Sequence, residues 1–171
     1  MAIAYLSLGS NFGDRIGYVQ QATSLLGAVD GISLIRTSAF YETEPWNMDS
    51  ENWFVNAVVE IKMINDKILS YIRRLQNKYK HMDEQRHERL EQQLGRKRPE
   101  GSKYTDRTID IDILFYNKDI VNCENLTIPH KFVHLRAFTL VPLLELIPNF
   151  EHPVLHKTIS ELHSDLENPE M

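Results

Sequence analysis

The chain has 171 residues, a formal net charge of −5 and a single cysteine, with 42% hydrophobic and 25% charged residues. This length and composition are typical of one globular domain, predicted here to cover residues 1–171. The acidic balance disfavours general affinity for nucleic acid. No apolar run reaches the roughly 18 residues of a membrane helix, and Cys123 has no second cysteine to pair with, so we expect a cytoplasmic protein.

Strand-like and helix-like hydrophobic periods alternate along the first half of the chain. Strands are predicted over 2–8, 31–43 and 53–63. A helix is predicted over 15–26, with Asp14 as its N-cap, because a carboxylate there can accept the first free backbone N–H groups. A second, amphipathic helix is predicted over 65–80 and continues toward residue 94.

The segment YTDRTIDIDILFYN, residues 104–117, shows the alternation of a half-buried strand. One face of the predicted strand would carry Ile109, Ile111, Ile113 and Phe115. The other face would carry Thr108, Asp110, Asp112 and Leu114. A short hairpin is predicted after this strand, over 117–128, and a largely buried helix over 136–147.

The predicted order β-α-β-β-α-β indicates an α+β protein with a ferredoxin-like core. In that arrangement an antiparallel sheet of four strands carries two helices on one face. A C-terminal helical extension would follow the core. Neither an internal repeat nor a linker divides the sequence, so a single domain remains the prediction.

Asp110 and Asp112 are alternate residues of the predicted strand, so they would share one face at about 6.6 Å along the strand. Two carboxylates at this spacing can converge on one or two divalent cations. Oxygen ligands with some retained water suit Mg²⁺. A solvated sheet face would explain the same pair, so the two aspartates alone leave both interpretations open.

Five basic residues come shortly before this strand, within GRKRPEGSKYTDR: Arg96, Lys97, Arg98, Lys103 and Arg107. The glycines and the proline of this stretch indicate a mobile loop. Most basic clusters are only solvated loops. A cationic loop that leads into paired acids nevertheless suits a polyphosphate, because the acids can hold the metal while guanidinium groups bind the remaining phosphate oxygens.

Six segments together resemble a known family: YLSLGSNFGDR (5–15), FYETEP (40–45), WFVNAVV (53–59), GRKRP…DRTIDIDIL (95–114), LTIPH (126–130) and RAFTLVPLLELIP (136–148). The chain resembles the 6-hydroxymethyl-7,8-dihydropterin pyrophosphokinases of folate biosynthesis over nearly its whole length. The resemblance implies the ferredoxin-like core and transfer of the pyrophosphoryl group of ATP to the pterin hydroxymethyl oxygen, which leaves AMP. It also implies that Asp110 and Asp112 bind two Mg²⁺ ions.

The same resemblance assigns roles to further residues. Arg96, Arg98 and Arg107 would act with the two aspartates in catalysis. The nucleotide would be bound by Glu91, Arg98, Arg107, Ile113, Thr127, His130 and Arg136. The pterin would be bound by Thr43, Pro45, Trp46, Phe54, Asn56, Asp110 and Phe138. Phe54 and Phe138 would sandwich the ring and Asn56 would read its edge, although core packing alone would also explain the two phenylalanines.

The basic loop departs from the family pattern. It is one residue longer, and Lys103, Tyr104 and Asp106 stand where the family commonly has Arg, Trp and Pro. Asp106 would add negative charge beside the phosphate site. Loop closure and ATP affinity are therefore the properties that these changes are expected to affect.

Two other interpretations fit part of the pattern. An RNA-recognition module shares the βαββαβ order, but the acidic net charge and the lack of its aromatic signature oppose it. A nucleotidyltransferase could use the same metal and phosphate groups and would release pyrophosphate. We expect ATP and hydroxymethyldihydropterin as small-molecule partners, no nucleic acid or membrane partner, and a monomer.

Overall fold

The computed structural model of the protein describes residues 1–64, 67–94 and 106–167, with the side chains at 67, 68, 87 and 90–94 outside that description. The strands within these residues are β1 Ala2–Ser10, β2 Ile32–Thr37, β3 Tyr41–Thr43, β4 Phe54–Met63, β5 Asp110–Tyr116, β6 Val121–Cys123 and β7 Leu126–Ile128. The helices are α1 Arg15–Gly27, α2 Lys67–Leu94, α3 Ala137–Leu146 and α4 Ile159–Glu167. A 3-10 turn, Val133–Leu135, precedes α3.

The strands form an antiparallel sheet in the order β2-β4-β1-β5, and the short β3 pairs with the beginning of β4. β6 and β7 form a separate hairpin, which was predicted. The central strands β1 and β4 are buried along nearly their whole length, because helices cover both faces of the sheet. The predicted α+β class with an antiparallel sheet is confirmed.

The two faces of the sheet carry different helices. On one face, α1 and α2 pack on a set that includes Leu6, Leu8 and Ile61. On the other face, α3 and α4 pack on Tyr5 and Val58. The C-terminal extension expected from the sequence is therefore the cover of the second face, which the apolar residues of β1 and β4 require.

The alternation of β5 breaks near its end. The pairing of β5 with β1 shifts register between Ile113 and Phe115, so that Leu114 is an extra residue on β5. Leu114 and Phe115 both pack with α3 and α4, whereas Ile113 packs with α1 and α2. The prediction that Phe115 shares a face with Ile113 is wrong, because a bulge of one residue reverses the alternation.

The strand predicted over 31–43 is interrupted between β2 and β3. Ser38 N–H donates to the Val58 carbonyl at 2.9 Å, and Ser38 Oγ accepts from Val58 N–H at 2.9 Å. The next residue, Ala39, donates its N–H to the Glu145 carboxylate at 3.0 Å. The Ser38 hydroxyl and the Glu145 carboxylate of α3 thus accept the backbone hydrogen bonds that a regular strand ladder would satisfy at this point.

The helix predictions agree with the structure. Asp14 Oδ1 accepts a hydrogen bond from Gly17 N–H at 3.1 Å, so Asp14 is the N-cap of α1 as predicted. α2 continues to Leu94, as expected. Among the described residues, no helix combines the length and the apolar character that spanning a bilayer requires.

Candidate active site

The face of the sheet that α3 and α4 cover is open at one end. On this face the side chains of β1 become smaller toward the open end, where Ser7 is followed by Gly9. In the strand register, Ser7 lies opposite Asp112 of β5, while Gly9 lies between Asn56 of β4 and Asp110 of β5. The pairing therefore gathers both aspartates and an amide around a floor of small residues.

Gly9 makes room for the buried amide of Asn56. A Cβ atom at position 9 would lie 2.6 Å from Asn56 Oδ1, closer than real Cβ contacts, so a larger residue there would displace the amide. Asn56 Nδ2 donates to Thr43 Oγ1 at 2.6 Å, which fixes the orientation of the amide. Sequence reasoning missed Gly9, because the period of β1 gives its face but not the register that sets Asn56 beside it.

A cavity opens above this floor. Its lining consists of Ser7, Gly9, Thr43, Glu44, Trp46, Met48, Phe54, Asn56, Arg107, Asp110, Asp112, Arg136 and Phe138. Six of the seven residues predicted to bind the pterin belong to this lining, and the seventh, Pro45, sits between two lining residues. The structure thus collects these distant side chains at one place, together with Glu44 and Met48, which were not predicted.

A second cavity shares Asp112 with the first. Its lining consists of Gln76, Asp112, Ile113, Glu124, Asn125, Leu126, Thr127, His130 and Lys131. Ile113, Thr127 and His130, predicted to bind the nucleotide, lie here, while Arg107 and Arg136 line the first cavity. The residues predicted for the two substrates therefore fall into two cavities that meet at one carboxylate.

The two aspartates have different surroundings. Arg107 Nη1 donates to Asp110 Oδ2 at 2.5 Å, whereas Arg136 Nη1 lies 3.7 Å from Asp112 Oδ2. Burial, followed by the charge of Asp110, raises the pKa of the Asp112 carboxyl to about 7, and the charges of Arg136 and Arg107 oppose this rise. The carboxylates therefore repel each other in the folded protein, and a cation bound between them would relieve that repulsion.

The donor atoms of the pair fit Mg²⁺. Mg²⁺ commonly takes one or two carboxylates, keeps several waters and completes its shell with substrate phosphates. Within residues 1–64, 67–94 and 106–167, no group of three or more His, Cys, Asp or Glu side chains is placed to hold a metal ion. A Mg²⁺ ion held by Asp110 and Asp112 would fill its remaining positions with water and phosphate oxygens.

Aromatic rings hold the guanidinium of Arg136 at the cavity wall. Its Cζ lies 4.6 Å from the ring centroid of Trp46, 5.2 Å from that of Phe132 and 5.3 Å from that of Phe138. Stacking on ring faces positions the group while its charge is kept. Phe132 was not predicted, because nothing local in the sequence shows which rings surround a distant arginine.

His130 is neutral at pH 7 and has a defined tautomer. Burial, followed by the charge of Arg136, lowers the pKa of His130 to about 4. Its Nδ1 accepts from Phe132 N–H at 3.1 Å, so Nε2 carries the proton of the neutral ring. Nε2 lies 3.9 Å from Asp112 Oδ1, at a point where it could donate to an anionic oxygen.

Three predicted residues lie outside what the structure describes. Arg96 and Arg98 belong to 95–105, which is outside the described residues, and so does most of the predicted mobile loop. Glu91 lies on α2, but its side chain is outside the description. Their roles stay predictions.

Comparison with known proteins identifies close relatives in sequence. A family model described as 7,8-dihydro-6-hydroxymethylpterin-pyrophosphokinase (HPPK) matches residues 5–148. The 2-amino-4-hydroxy-6-hydroxymethyldihydropteridine pyrophosphokinase of Aquifex aeolicus is 34% identical over 163 residues, 94% of this chain and 90% of that protein. The protein of the same name from Methylorubrum extorquens is 39% identical over 151 residues, 87% of this chain and 85% of that protein.

Solved structures show the same fold. The crystal structure of Plasmodium falciparum HPPK-DHPS wild type with pteroate matches with a TM-score of 0.67 at 19% identity. The match covers 99% of this chain but only 44% of that longer chain, so it bears on the fold alone. The family predicted from the sequence is confirmed by the family model and by the relatives that match over most of their length. This chain belongs to the 7,8-dihydro-6-hydroxymethylpterin-pyrophosphokinase family.

Proposed function

We propose that the open end of the sheet is where this pyrophosphokinase of folate biosynthesis transfers the β,γ-pyrophosphoryl group of ATP to 6-hydroxymethyl-7,8-dihydropterin, leaving AMP. The observation that carries the proposal is the position of Asp112 in the walls of both cavities. A metal-bound phosphate at Asp112 can meet one substrate from each side. The family supplies the identity of the two substrates.

The first cavity is the pterin cavity in this proposal. A flat, polar heterocycle needs aromatic faces and an edge reader with both donor and acceptor atoms. Phe54 and Phe138 are half-buried on the lining and would supply the faces. Asn56, with its amide oriented by Thr43, would read the edge. Pro45 and Trp46 would shape the segment that closes over the ring.

The second cavity is the nucleotide cavity. Ile113 and Thr127 would contact the nucleoside, and His130 would donate from Nε2 to a phosphate oxygen. Arg107 and Arg136 border the aspartates from the pterin side, so they would bind the phosphates nearest the acceptor. Arg96, Arg98 and Glu91 would complete this binding, by resemblance to the family.

Asp110 and Asp112 would hold two Mg²⁺ ions, which supply neutralisation of the charge on the transferred phosphates when bound. The side chains of the protein would position the reactants: the aromatic pair presents the hydroxymethyl oxygen, and the arginines hold the pyrophosphoryl group in line with it. Bringing two bound reactants into such geometry is itself a large part of catalysis.

We also propose that the core is of the ferredoxin-like kind. The antiparallel order β2-β4-β1-β5, with α1 and α2 on one face, supports this, and β3 is then an addition paired to β4. One domain over 1–171, a cytoplasmic location and a monomer stay predictions.

Product analysis tests the proposed reaction. Incubation with ATP, Mg²⁺ and 6-hydroxymethyl-7,8-dihydropterin is expected to give AMP and the pterin diphosphate in equal amounts. Attack on the γ-phosphorus would give ADP, and attack on the α-phosphorus would give free pyrophosphate. Chromatographic separation of the nucleotides therefore distinguishes the proposed transfer from an ordinary kinase and from a nucleotidyltransferase.

A further inference from the structure

The carboxylate of Asp106 accepts hydrogen bonds from three side chains on two other segments. Oδ1 accepts from Asn11 Nδ2 at 2.8 Å and from Ser50 Oγ at 2.6 Å. Oδ2 accepts from Asn52 Nδ2 at 2.6 Å. Asn11 follows β1, while Ser50 and Asn52 lie between β3 and β4. One half-buried carboxylate therefore ties three parts of the chain together.

The backbone around Asp106 is fixed as well. Arg107 N–H donates to Asn11 Oδ1 at 2.6 Å, and Asn11 N–H donates to the Arg107 carbonyl at 3.1 Å. From α2, Arg86 donates to the Asp106 carbonyl at 2.7 Å and to Thr108 Oγ1 at 2.8 Å. The entry to β5 is therefore held between α2 and the turn after β1.

Asp106 lies outside both cavity linings, but the segments that it joins line the pterin cavity. Segment 44–53 contributes Glu44, Trp46 and Met48 to that lining. The residue after Asp106 is Arg107, whose guanidinium donates to Asp110. Loss of the Asp106 carboxylate would therefore affect pterin binding through segment 44–53, and it would affect the aspartate pair through Arg107.

We propose that Asp106 is a positioning residue that holds segment 44–53 over the pterin cavity and fixes the backbone from which Arg107 reaches Asp110. The inference rests on the proposed function, because it assigns a role within the same site. Three donors on two segments meet the two oxygens of this one carboxylate, so the placement of its acceptor atoms ties the segments together.

Charge and geometry can be separated by substitution. In Asp106→Asn the charge is lost, but Oδ1 can still accept from Asn11 and Ser50, and the amide of Asn52 can turn to accept from the new Nδ2. In Asp106→Ala every one of these acceptors is lost. The matched control is Glu51→Gln, which removes an exposed carboxylate from the same segment.

Steady-state kinetics with both substrates gives the first test. We expect Asp106→Ala to raise KM for the pterin about tenfold and to lower kcat about tenfold, since the acceptor atoms that tie segment 44–53 and Asn11 to the start of β5 are all lost. Asn52→Ala removes only the side-chain hydrogen bond from segment 44–53 to Asp106 Oδ2, so it should raise KM for the pterin about threefold and leave kcat unchanged. For Asp106→Asn and Glu51→Gln, both KM for the pterin and kcat should stay within about threefold of the values of the unchanged protein.

A double-mutant cycle gives the second test. If Asn52 acts through Asp106, Asn52→Ala will add no further change in KM for the pterin when Asp106 is already alanine. Additive effects would overturn the proposal, and so would Asp106→Ala kinetics equal to those of the unchanged protein. An Asp106→Asn variant as impaired as Asp106→Ala would also overturn it, in favour of charge.

Two further measurements separate the possible failures. Pterin binding, measured by calorimetry in the presence of a non-hydrolysable ATP analogue, reports the role of Asp106 without turnover. If the unchanged protein binds both ligands but forms no AMP, the proposed function fails while the Asp106 comparison still stands. The Tm of each variant is measured by thermal unfolding, and the kinetics are measured well below that temperature. A lower activity then cannot result from a smaller fraction of folded protein.

Discussion

The two ends of one sheet face have the same strands but opposite chemistry. The closed end consists of Tyr5, Val58, Leu114 and Phe115. The open end consists of Gly9, Asn56, Asp110 and Asp112. At the closed end α3 and α4 bury large apolar side chains, whereas at the open end the same β1, β4 and β5 surround a cavity with small or polar residues.

One face of the sheet thus serves both stability and chemistry. A step of two residues keeps the face of a strand, so Leu114 and Asp112 face the same way on β5, as Val58 and Asn56 do on β4. The raised pKa of Asp112 indicates that burial and the charge of Asp110 disfavour the ionised Asp112 carboxylate at the open end. Burial at the closed end offsets that cost. Substitutions at the open end should therefore change turnover, and those at the closed end should change the free energy of unfolding.

The largest effect is expected from the aspartates of the open end. Asp110→Ala or Asp112→Ala should lower the rate of AMP formation by about 10³-fold or more, because charge stabilisation through the metals is worth several kcal/mol. The fold should persist, since both side chains face the cavity. Circular dichroism and AMP formation, measured on the same samples, check this. Unfolded variants whose residual folded fraction was fully active would instead make the aspartates structural.

The converse effect is expected at the closed end. Leu114→Ala should lower the free energy of unfolding by about 2–5 kcal/mol, because it leaves a cavity in the cluster under α3 and α4. Turnover per folded molecule should be unchanged. Urea denaturation gives the free energy of unfolding, and the rate of AMP formation divided by the concentration of folded protein gives the turnover. Leu114→Ile, which keeps the volume, is the control. A tenfold loss of turnover in the folded protein would remove the distinction between the two ends.

Phe138 at the open end and Phe150 at the closed end should differ in their effect on pterin binding. Phe138→Ala should weaken pterin binding by about 2 kcal/mol, the sum of ring contact and lost burial. ATP affinity should change much less, because Trp46 and Phe132 still hold the guanidinium of Arg136. Phe150→Ala is the matched control, because Phe150 packs at the closed end with its ring centroid 4.8 Å from that of Phe115. Calorimetry with each ligand tests this. Equal losses for both ligands in Phe138→Ala would point to general disruption of the fold.

The smallest effect concerns the pH dependence of stability at the closed end. His152 packs edge-on against Phe115, and its Nδ1 accepts from Val154 and Leu155 N–H at 3.2 and 3.0 Å. Burial, followed by the charges of His134 and His156, lowers the pKa of His152 to about 4. The histidine pKa in the unfolded chain is near 6.5, so between pH 6.5 and 4 the unfolded chain binds a proton at His152 and the folded protein does not.

It follows that stability is full above pH 6.5 and falls as the pH drops toward 4. We expect His152 to account for about 1–2 kcal/mol of this fall. Asn at position 152 keeps an acceptor for the backbone N–H groups but does not titrate, so His152→Asn should flatten the profile. Urea denaturation between pH 7.5 and 4.5 measures the difference. Parallel profiles for the two proteins would show that His152 does not titrate with folding.

Local patterns in the sequence determined much of this protein. The helical periods of α1 and α2, the Asp14 cap and the short hairpin were all predicted because they depend on neighbours a few residues apart. The family followed from six segments in a fixed order, and that order is itself a property of the sequence. The pairing of Asp110 with Asp112 on one face needed only the period of a strand.

Tertiary structure decided what depends on the pairing of distant segments. The bulge that turns Phe115 to the other face is a property of β5 against β1, and the fit of Gly9 to Asn56 is a property of β1 against β4. From the sequence, Asp106 was expected only to add negative charge beside the phosphate site, because the partners of its carboxylate lie 95, 56 and 54 residues away. Register and long-range contacts set such roles, and a local pattern does not encode either of them.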